Sequence, residues 1–334
     1  MQRRTRMSSA VTGLIALGLA CSACSTGGVA DQAKGSAPPP PVAAQTAYTP
    51  YVSATTASDT DDAGSPDTYN LAFVTSDTSG CTPLWGGTTA VTGDAVVARV
   101  AALTADGADV RVSFGGAAGT EAALACDSAE ELADAYAEVL DAVGATKADF
   151  DIEGDALTDP ASVTRRDEAL ALLQKERDLD VTYTLPVMPE GLEDTGLAIV
   201  QDAVDRGVDV SAVNIMAMNY STSHDGDMGD YAEQAAEAAH DQLVDVLGLS
   251  RGAAWKALHL TVMIGVNDVA GETFTLADAA SLRRFATEKG VGALSTWSAF
   301  RDRPCTDGED VTEADDTCSG VEQEAGAFAE ALSG

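Results

Sequence analysis

The feature that most narrows the fold of this chain is a repeated alternation. Short apolar, β-rich runs recur at residues 48–52, 69–74, 110–114, 148–152, 181–187, 208–218, 259–265 and 293–297, and most are followed by stretches carrying helix start and stop signals. Ser128-x-x-Glu131 predicts a capping box opening a helix that runs to Val143 and stops at Gly144; Thr275-x-x-Asp278 predicts another, closed by Gly290. Short buried strands joined by long connections require parallel crossovers, and eight such units predict a closed (β/α)8 barrel, an α/β fold in one domain. Residues 53–68 are rich in Asp, Thr, Gly and Pro, so no helix is expected in the first unit. An open doubly wound sheet is the alternative, and no G-x-G-x-x-G or G-x-x-x-x-G-K-[ST] supports it.

The barrel is expected over residues 47–334. Upstream, Arg3, Arg4 and Arg6 precede an apolar run at 10–20 that is too short to span a bilayer. Residues 1–24 therefore read as a secretory signal. Ala20-Cys21 and Ala23-Cys24 both look like lipoprotein cleavage sites, so the expectation is a protein either secreted or lipid-anchored through Cys21 or Cys24 to the outer face of the cell membrane. Residues 25–46 are small, polar and Pro-rich, with prolines at 38–41, and predict a disordered, extended spacer.

Nineteen Lys and Arg stand against 53 Asp and Glu, a formal charge of −34. Phosphate backbones and anionic membrane surfaces would be repelled, which argues against nucleic acid and favours a neutral or cationic ligand. His224, His240 and His259 are the only histidines, and no two have metal-ligand spacing, so no metal and no cofactor is expected and chemistry falls to carboxylates. In an exported protein Cys81, Cys126, Cys305 and Cys318 suggest disulfides. Of three possible pairings, Cys81 with Cys126 and Cys305 with Cys318 is favoured: the second closes a short polar loop, and the first joins loops that follow adjacent strands.

The informative segment is Ala148-Asp149-Phe150-Asp151-Ile152-Glu153-Gly154. On a strand, residues two apart share a face, so Asp149, Asp151 and Glu153 point one way and Phe150 and Ile152 the other. In a barrel the acids would enter the interior, with Glu153 at the carboxyl end of the strand, the face that carries active sites. Three confined carboxylates cannot all ionise cheaply, so protons are shared and a carboxylic acid persists near neutrality, as a general acid requires. A solvated acidic edge, or a site for calcium or magnesium, are the other readings of the same residues.

At these residues the sequence resembles glycoside hydrolase family 18, the chitinase family, whose strand-four signature is D-x-x-D-x-D-x-E. Asp149, Asp151 and Glu153 match its last three acids; Thr146 stands at the first, which alters how Asp149 is charge-balanced. Ser113-Phe114-Gly115-Gly116 matches the family's S-x-G-G, Met218-Asn219-Tyr220 matches M-x-Y, and Trp297 ends the eighth strand, where members place a tryptophan beneath the sugar. The Asp that often follows that Tyr is Ser221.

The resemblance implies substrate-assisted catalysis with retention. Glu153 would protonate the glycosidic oxygen, Asp151 would steady the acetamido nitrogen, Asp149 would tune Asp151, and Tyr220 would bond the acetamido oxygen. Trp297, Met218, Ser113, Gly115 and Gly116 become candidate sugar-site residues. Trp85, in the loop after the second strand, and Asn267 and Asp268, after the seventh, join them on position, each with packing as the alternative. Arg111, two residues before Ser113, is placed to offset Asp149 if that face is interior. Trp255 reads as core.

The segment between strands seven and eight has room for one helix and little else, and no chitin-binding module is visible, so a shallow groove, endo cutting and low processivity are expected. The resulting expectation is a monomeric chitinase acting on chitin or N-acetylglucosamine oligosaccharides. The alternatives are an endo-β-N-acetylglucosaminidase acting on glycans and a lectin-like barrel that binds sugar without cleaving it.

Overall fold

The computed structural model describes residues 46–77, 80–306 and 312–334; the signal at 1–24 and all of the spacer but Thr46 lie outside them. Eight parallel strands form the barrel. After a first strand β1 in two pieces, Ala47–Tyr48 and Tyr51–Ser53, come β2 (Thr68–Ser76), β3 (Asp109–Gly115), β4 (Lys147–Asp151), β5 (Asp180–Pro186), β6 (Ala212–Met216), β7 (Leu258–Met263) and β8 (Ala293–Trp297). Each pairs in parallel with the next in sequence from β2 to β8.

The ring closes through β1. Its first piece pairs with β8 (Ala47 with Ala293, Tyr48 with Leu294) and its second with β2 (Tyr51 with Asn70, Val52 with Leu71). Between them Thr49 N donates to Leu294 O at 2.9 Å, and Pro50, which has no N–H to offer, accepts from Asn70 N at 3.0 Å. One continuous segment thus passes from one neighbour to the other, leaving the barrel no open edge at this point. The sixth run, expected at 208–218, is strand only over Ala212–Met216.

The period-2 pattern sorts side chains into two layers. Leu71, Val112, Phe150, Tyr183, Ile215, Leu260 and Leu294 are buried in the apolar core; on the same outward face the Phe114 and Phe150 rings stack 5.3 Å apart, with Tyr136 of the helix Ala129–Val143 edge-on to Phe150 at 5.1 Å. The alternate residues Asn70, Arg111, Asp149, Thr182, Asn214, His259 and Ser295 converge on the barrel interior. Arg111 is therefore interior, which meets the condition for it to offset Asp149, and its guanidinium donates to Asn70 Oδ1 at 3.2 Å. Burial, with Arg111 nearby, pushes His259 down to about 3, so it remains neutral.

One expected capping box forms in full and the other in half, because the Glu131 carboxylate accepts from the N–H of Asp127 instead of Ser128. Ser128 Oγ accepts from Glu131 N, and Thr275 with Asp278 makes a full capping box on the helix Leu276–Lys289, which ends at left-handed Gly290. The first unit has no helix, as expected; its loop is tied down by an ion pair from Arg99 to Asp61 at 2.6 Å and by Thr60 Oγ1 donating to Ala299 O. The helix Ala327–Ser333 lacks a cap of its own, and Asp302 supplies one by accepting from Phe328 N and Ala329 N. The disulfides are Cys81–Cys126 and Cys305–Cys318, the favoured pairing.

Candidate active site

At the carboxyl ends of the barrel strands an open cleft of about 370 Å³ is lined by residues from all eight strands or the loops that follow them, among them Tyr51, Phe73, Asp151, Glu153, Thr184, Met218, Asp268 and Trp297. Its floor is built from β4. Asp149 is the deepest acid, 1% exposed. Tyr51 and Ser113 each donate a hydroxyl to its Oδ2 at 2.8 Å, and Thr184 donates to Oδ1 at 2.5 Å. Asn214 in turn donates to Thr184 Oγ1 at 2.9 Å. Burial raises the Asp149 carboxyl, while the three hydroxyls and Arg111 oppose that rise.

Asp151 lies two residues further along the same face, 5% exposed, and its Oδ1 has no partner. Burial first, then the charges of Glu153 and Asp149, hold its carboxyl well above the usual range. Glu153 follows the last paired residue of β4 and is raised by burial and then by Asp268. The alternation read from sequence therefore places three carboxyls in a column from barrel interior to rim, and burial with mutual repulsion makes the column hold a proton more readily than isolated carboxyls would. A protonated carboxyl at the rim, above a buried carboxyl with an open oxygen, can donate a proton to a bound molecule while the deeper group accepts an N–H.

The glycines after β3 act on this column from behind. Gly115, at φ +97°, packs so closely that a Cβ there would lie 2.1 Å from Asp151 O, and Gly116 N donates to that same oxygen at 3.0 Å. A Cβ on Gly116 would meet the Phe73 ring at 2.9 Å. Ser113, Gly115 and Gly116 are thus brought to the site, but beneath and behind it; none of them lines the cleft. Across the mouth Trp297 stacks on Phe73 with centroids 5.4 Å apart, giving an aromatic wall opposite the acids.

Two curated relatives and one solved structure place this geometry in a family. The chain is 34% identical over 277 residues to a probable bifunctional chitinase/lysozyme of Escherichia coli strain K12, covering 77% of this chain and 31% of that protein. It is 32% identical over 250 residues to Endochitinase 11 of Metarhizium anisopliae, covering 71% and 48% respectively. The crystal structure of active domain 2 of the thermostable chitinase from Pyrococcus furiosus, in site mutants complexed with chito-oligosaccharides, superposes with a TM-score of 0.76 at 30% identity, over 87% of this chain and 94% of that one. No family model matches the chain. The chain belongs to glycoside hydrolase family 18. It spans about a third of the first curated relative's length and about half of the second's.

Within the family-18 framework the structure corrects three expectations. Tyr220 does not line the cleft: its ring is buried against Tyr231 and His224, and its hydroxyl has no partner. A strand continuing through 220 would put Met218 and Tyr220 on one face, but β6 ends at Met216 and Asn219 takes a left-handed φ of +54°, which breaks the alternation. Met216, Met218 and Asn219 reach the cleft in its place. Trp85 is core, 1% exposed in the short strand Pro83–Trp85 antiparallel to β2. Asn267 is spent on the carbonyls of Met263 and Gly265, whereas its neighbour Asp268 does line the cleft.

Tyr51, Phe73, Thr184 and Asn219 were not singled out from sequence. Tyr51 and Thr184 sit on interior faces of strands, where period 2 alone could have nominated them; Phe73 carries no motif.

Proposed function

We propose that this chain hydrolyses β-1,4 bonds next to N-acetylglucosamine in chitin, with the substrate's own acetamido group as nucleophile and retention at the anomeric carbon. One observation carries the reading: Glu153 stands at the rim of the cleft directly above Asp151, which is buried and has a free Oδ1, over an Asp149 pinned by three hydroxyls. The similarity to a chitinase/lysozyme, an endochitinase and a chitinase solved with chito-oligosaccharides supports the same class.

In this mechanism the sugar lies against Trp297. Protonated Glu153 gives its proton to the glycosidic oxygen as that bond breaks, and the acetamido carbonyl oxygen closes on the anomeric carbon. Asp151 accepts the acetamido N–H and stabilises the positive charge of the oxazolinium ion. Asp149 holds Asp151 in place electrostatically and shares its proton. Glu153, now a carboxylate, then takes a proton from water as it opens the ring. Fixing the carbonyl in attack position supplies much of the rate, because proximity turns a weak nucleophile into an effective one.

The segment between β7 and β8 holds a two-stranded ribbon, Gly265–Val266 with Thr273–Phe274, and one helix, which supports an open groove and internal cutting. Two disulfides support export to an oxidising compartment; mass spectrometry of the mature N-terminus would distinguish a free end from a lipidated Cys21 or Cys24.

The test is turnover of an unmodified N-acetylglucosamine hexamer by wild type and Glu153→Gln, beside a high-mannose glycopeptide. Loss of general acid–base function is expected to cost about 10²–10⁴-fold on the hexamer. Equally slow turnover by both proteins would end the enzymatic reading, equally fast turnover would remove Glu153 from it, and cleavage of the glycopeptide alone would redirect it to glycans.

A further inference from the structure

Resting on that reading, we propose that Asp268 is a positioning residue of the same reaction: clamped by Asn219, its carboxylate faces Glu153 across the cleft and holds the proton there until the glycosidic oxygen takes it. The clamp is built from two adjacent barrel loops. Asn219 Nδ2 donates to Asp268 Oδ2 at 2.8 Å, and Asn219 Oδ1 accepts from the N–H of Asp268 at 2.9 Å and of Val269 at 3.3 Å. Asn219 reaches this pose only through its left-handed backbone, a conformation that asparagine tolerates better than most residues. One oxygen of Asp268 is fixed, and the carboxylate lines the same cleft as Glu153.

The surroundings make this charge count. Lining the cleft with Glu153 are Asp151 from β4, Glu193 from the loop after β5, Tyr51 from β1 and Asp268 from the loop after β7; the loop after β6 contributes Met218 and Asn219, and β8 contributes Trp297, while Asp149 lies deeper, beneath Asp151. No Lys, Arg or His lines the cleft among the described residues. Arg301, behind Asp268, is engaged by the carbonyls of Ile264 and Val266 at 3.1 and 2.7 Å and by that of Asp315. Burial raises Glu153 first and Asp268 adds to it, beside the mutual repulsion of Glu153 and Asp151. A general acid that must protonate a departing sugar oxygen needs to keep its proton, and a like charge held at a fixed place favours that, even with the Arg301 cation behind Asp268 offsetting part of it. Asp268 itself is exposed, so its influence falls with salt.

The experiment is the pH profile of kcat/KM on the unmodified hexamer for wild type, Asp268→Asn, Asp268→Lys and Asn219→Ala. Asparagine at 268 keeps the shape and the bond to Asn219 while removing the charge. The alkaline limb should move down by roughly half a pH unit to one unit in Asp268→Asn and further in Asp268→Lys. Asn219→Ala should give a smaller shift in the same direction. The gap between wild type and Asp268→Asn should narrow as salt rises from about 0.05 to 1 M. An alkaline limb that stays put in all variants overturns the proposal. So does a uniform loss of activity at every pH with no shift, which would make Asp268 a plain sugar contact. If Glu153→Gln is inactive while the limb does not move, the proposed function stands and this inference alone falls.

Discussion

Replacing Asp167 with Asn should reverse part of the protein's pH dependence of stability. Asp167 is fully buried on the helix Pro160–Glu176; it accepts from Tyr183 OH at 2.5 Å through Oδ1, and its Oδ2 has no donor. Asp202 lies within hydrogen-bonding reach, so two acceptors face each other and need a proton between them. Burial and Asp202, against the opposing pull of Tyr183 and Arg166, push the Asp167 carboxyl from 3.8 up to about 7. The folded state thus keeps a proton that the unfolded chain releases. The contribution is fully present below the unfolded value near 4 and is lost as pH rises towards 7, at about 1.4 kcal/mol per pH unit. Over that window it amounts to about 4 kcal/mol. Asparagine is neutral throughout and keeps both an acceptor for Tyr183 and an N–H for Asp202. Relative to wild type, Asp167→Asn should gain up to roughly 4 kcal/mol between pH 4 and pH 8, a relative shift in melting temperature of roughly 8 °C for a domain of this size. Paired thermal scans at pH 4, 6 and 8 measure it. A melting-temperature difference between the two proteins that is the same at all three pH values would refute the shared-proton account.

Tyr220→Phe should leave hexamer turnover within about two-fold and stability within about 1 kcal/mol, because the lost hydroxyl is unpartnered and away from the cleft; a hundred-fold loss would restore the residue to the sugar site. Gly115→Ala should cost at least about 2 kcal/mol in urea denaturation and lower kcat, since a Cβ at φ +97° strikes the carbonyl of Asp151. Replacing both cysteines of a disulfide by Ala should cost about 4 kcal/mol for Cys81–Cys126, which spans 45 residues, and about 3 kcal/mol for Cys305–Cys318, which spans 13. Equal losses for the two, measured by urea titration, would contradict the loop-length account.

Much of the barrel was legible because its strands obey a simple rule. Each β-rich run alternates residues between an outer apolar layer and an inner polar one, and eight such runs with long connections leave few topologies. The eighth run is strand over Ala293–Trp297, the span expected. What the pattern could not show was where pairing stops. The first run is split at Thr49-Pro50, where one segment serves two neighbours, and the sixth ends at Met216 because the chain turns there toward Asn219. Both limits arise from tertiary pairing rather than local propensity.

The same boundary separates the legible from the illegible parts of the site. Asp149, Asp151, Ser113 and Arg111 ride on paired strands, so two-residue spacing fixed their direction, and Glu153 extends the β4 line by one step. Tyr220, Asn267 and Asp268 lie beyond the last paired residue, where spacing no longer carries direction. There, side-chain to backbone bonds decide: Glu272 accepts from the N–H of Tyr220 and Ser221 and Asn267 binds two carbonyls, turning both candidate side chains away, while the Asn219 clamp turns Asp268 toward the cleft. A residue just past a barrel strand therefore earns its place through the hydrogen bonds of its loop. That is why Asn219, which matched only the unspecified middle position of its motif, governs the orientation of a charge that the motif never named.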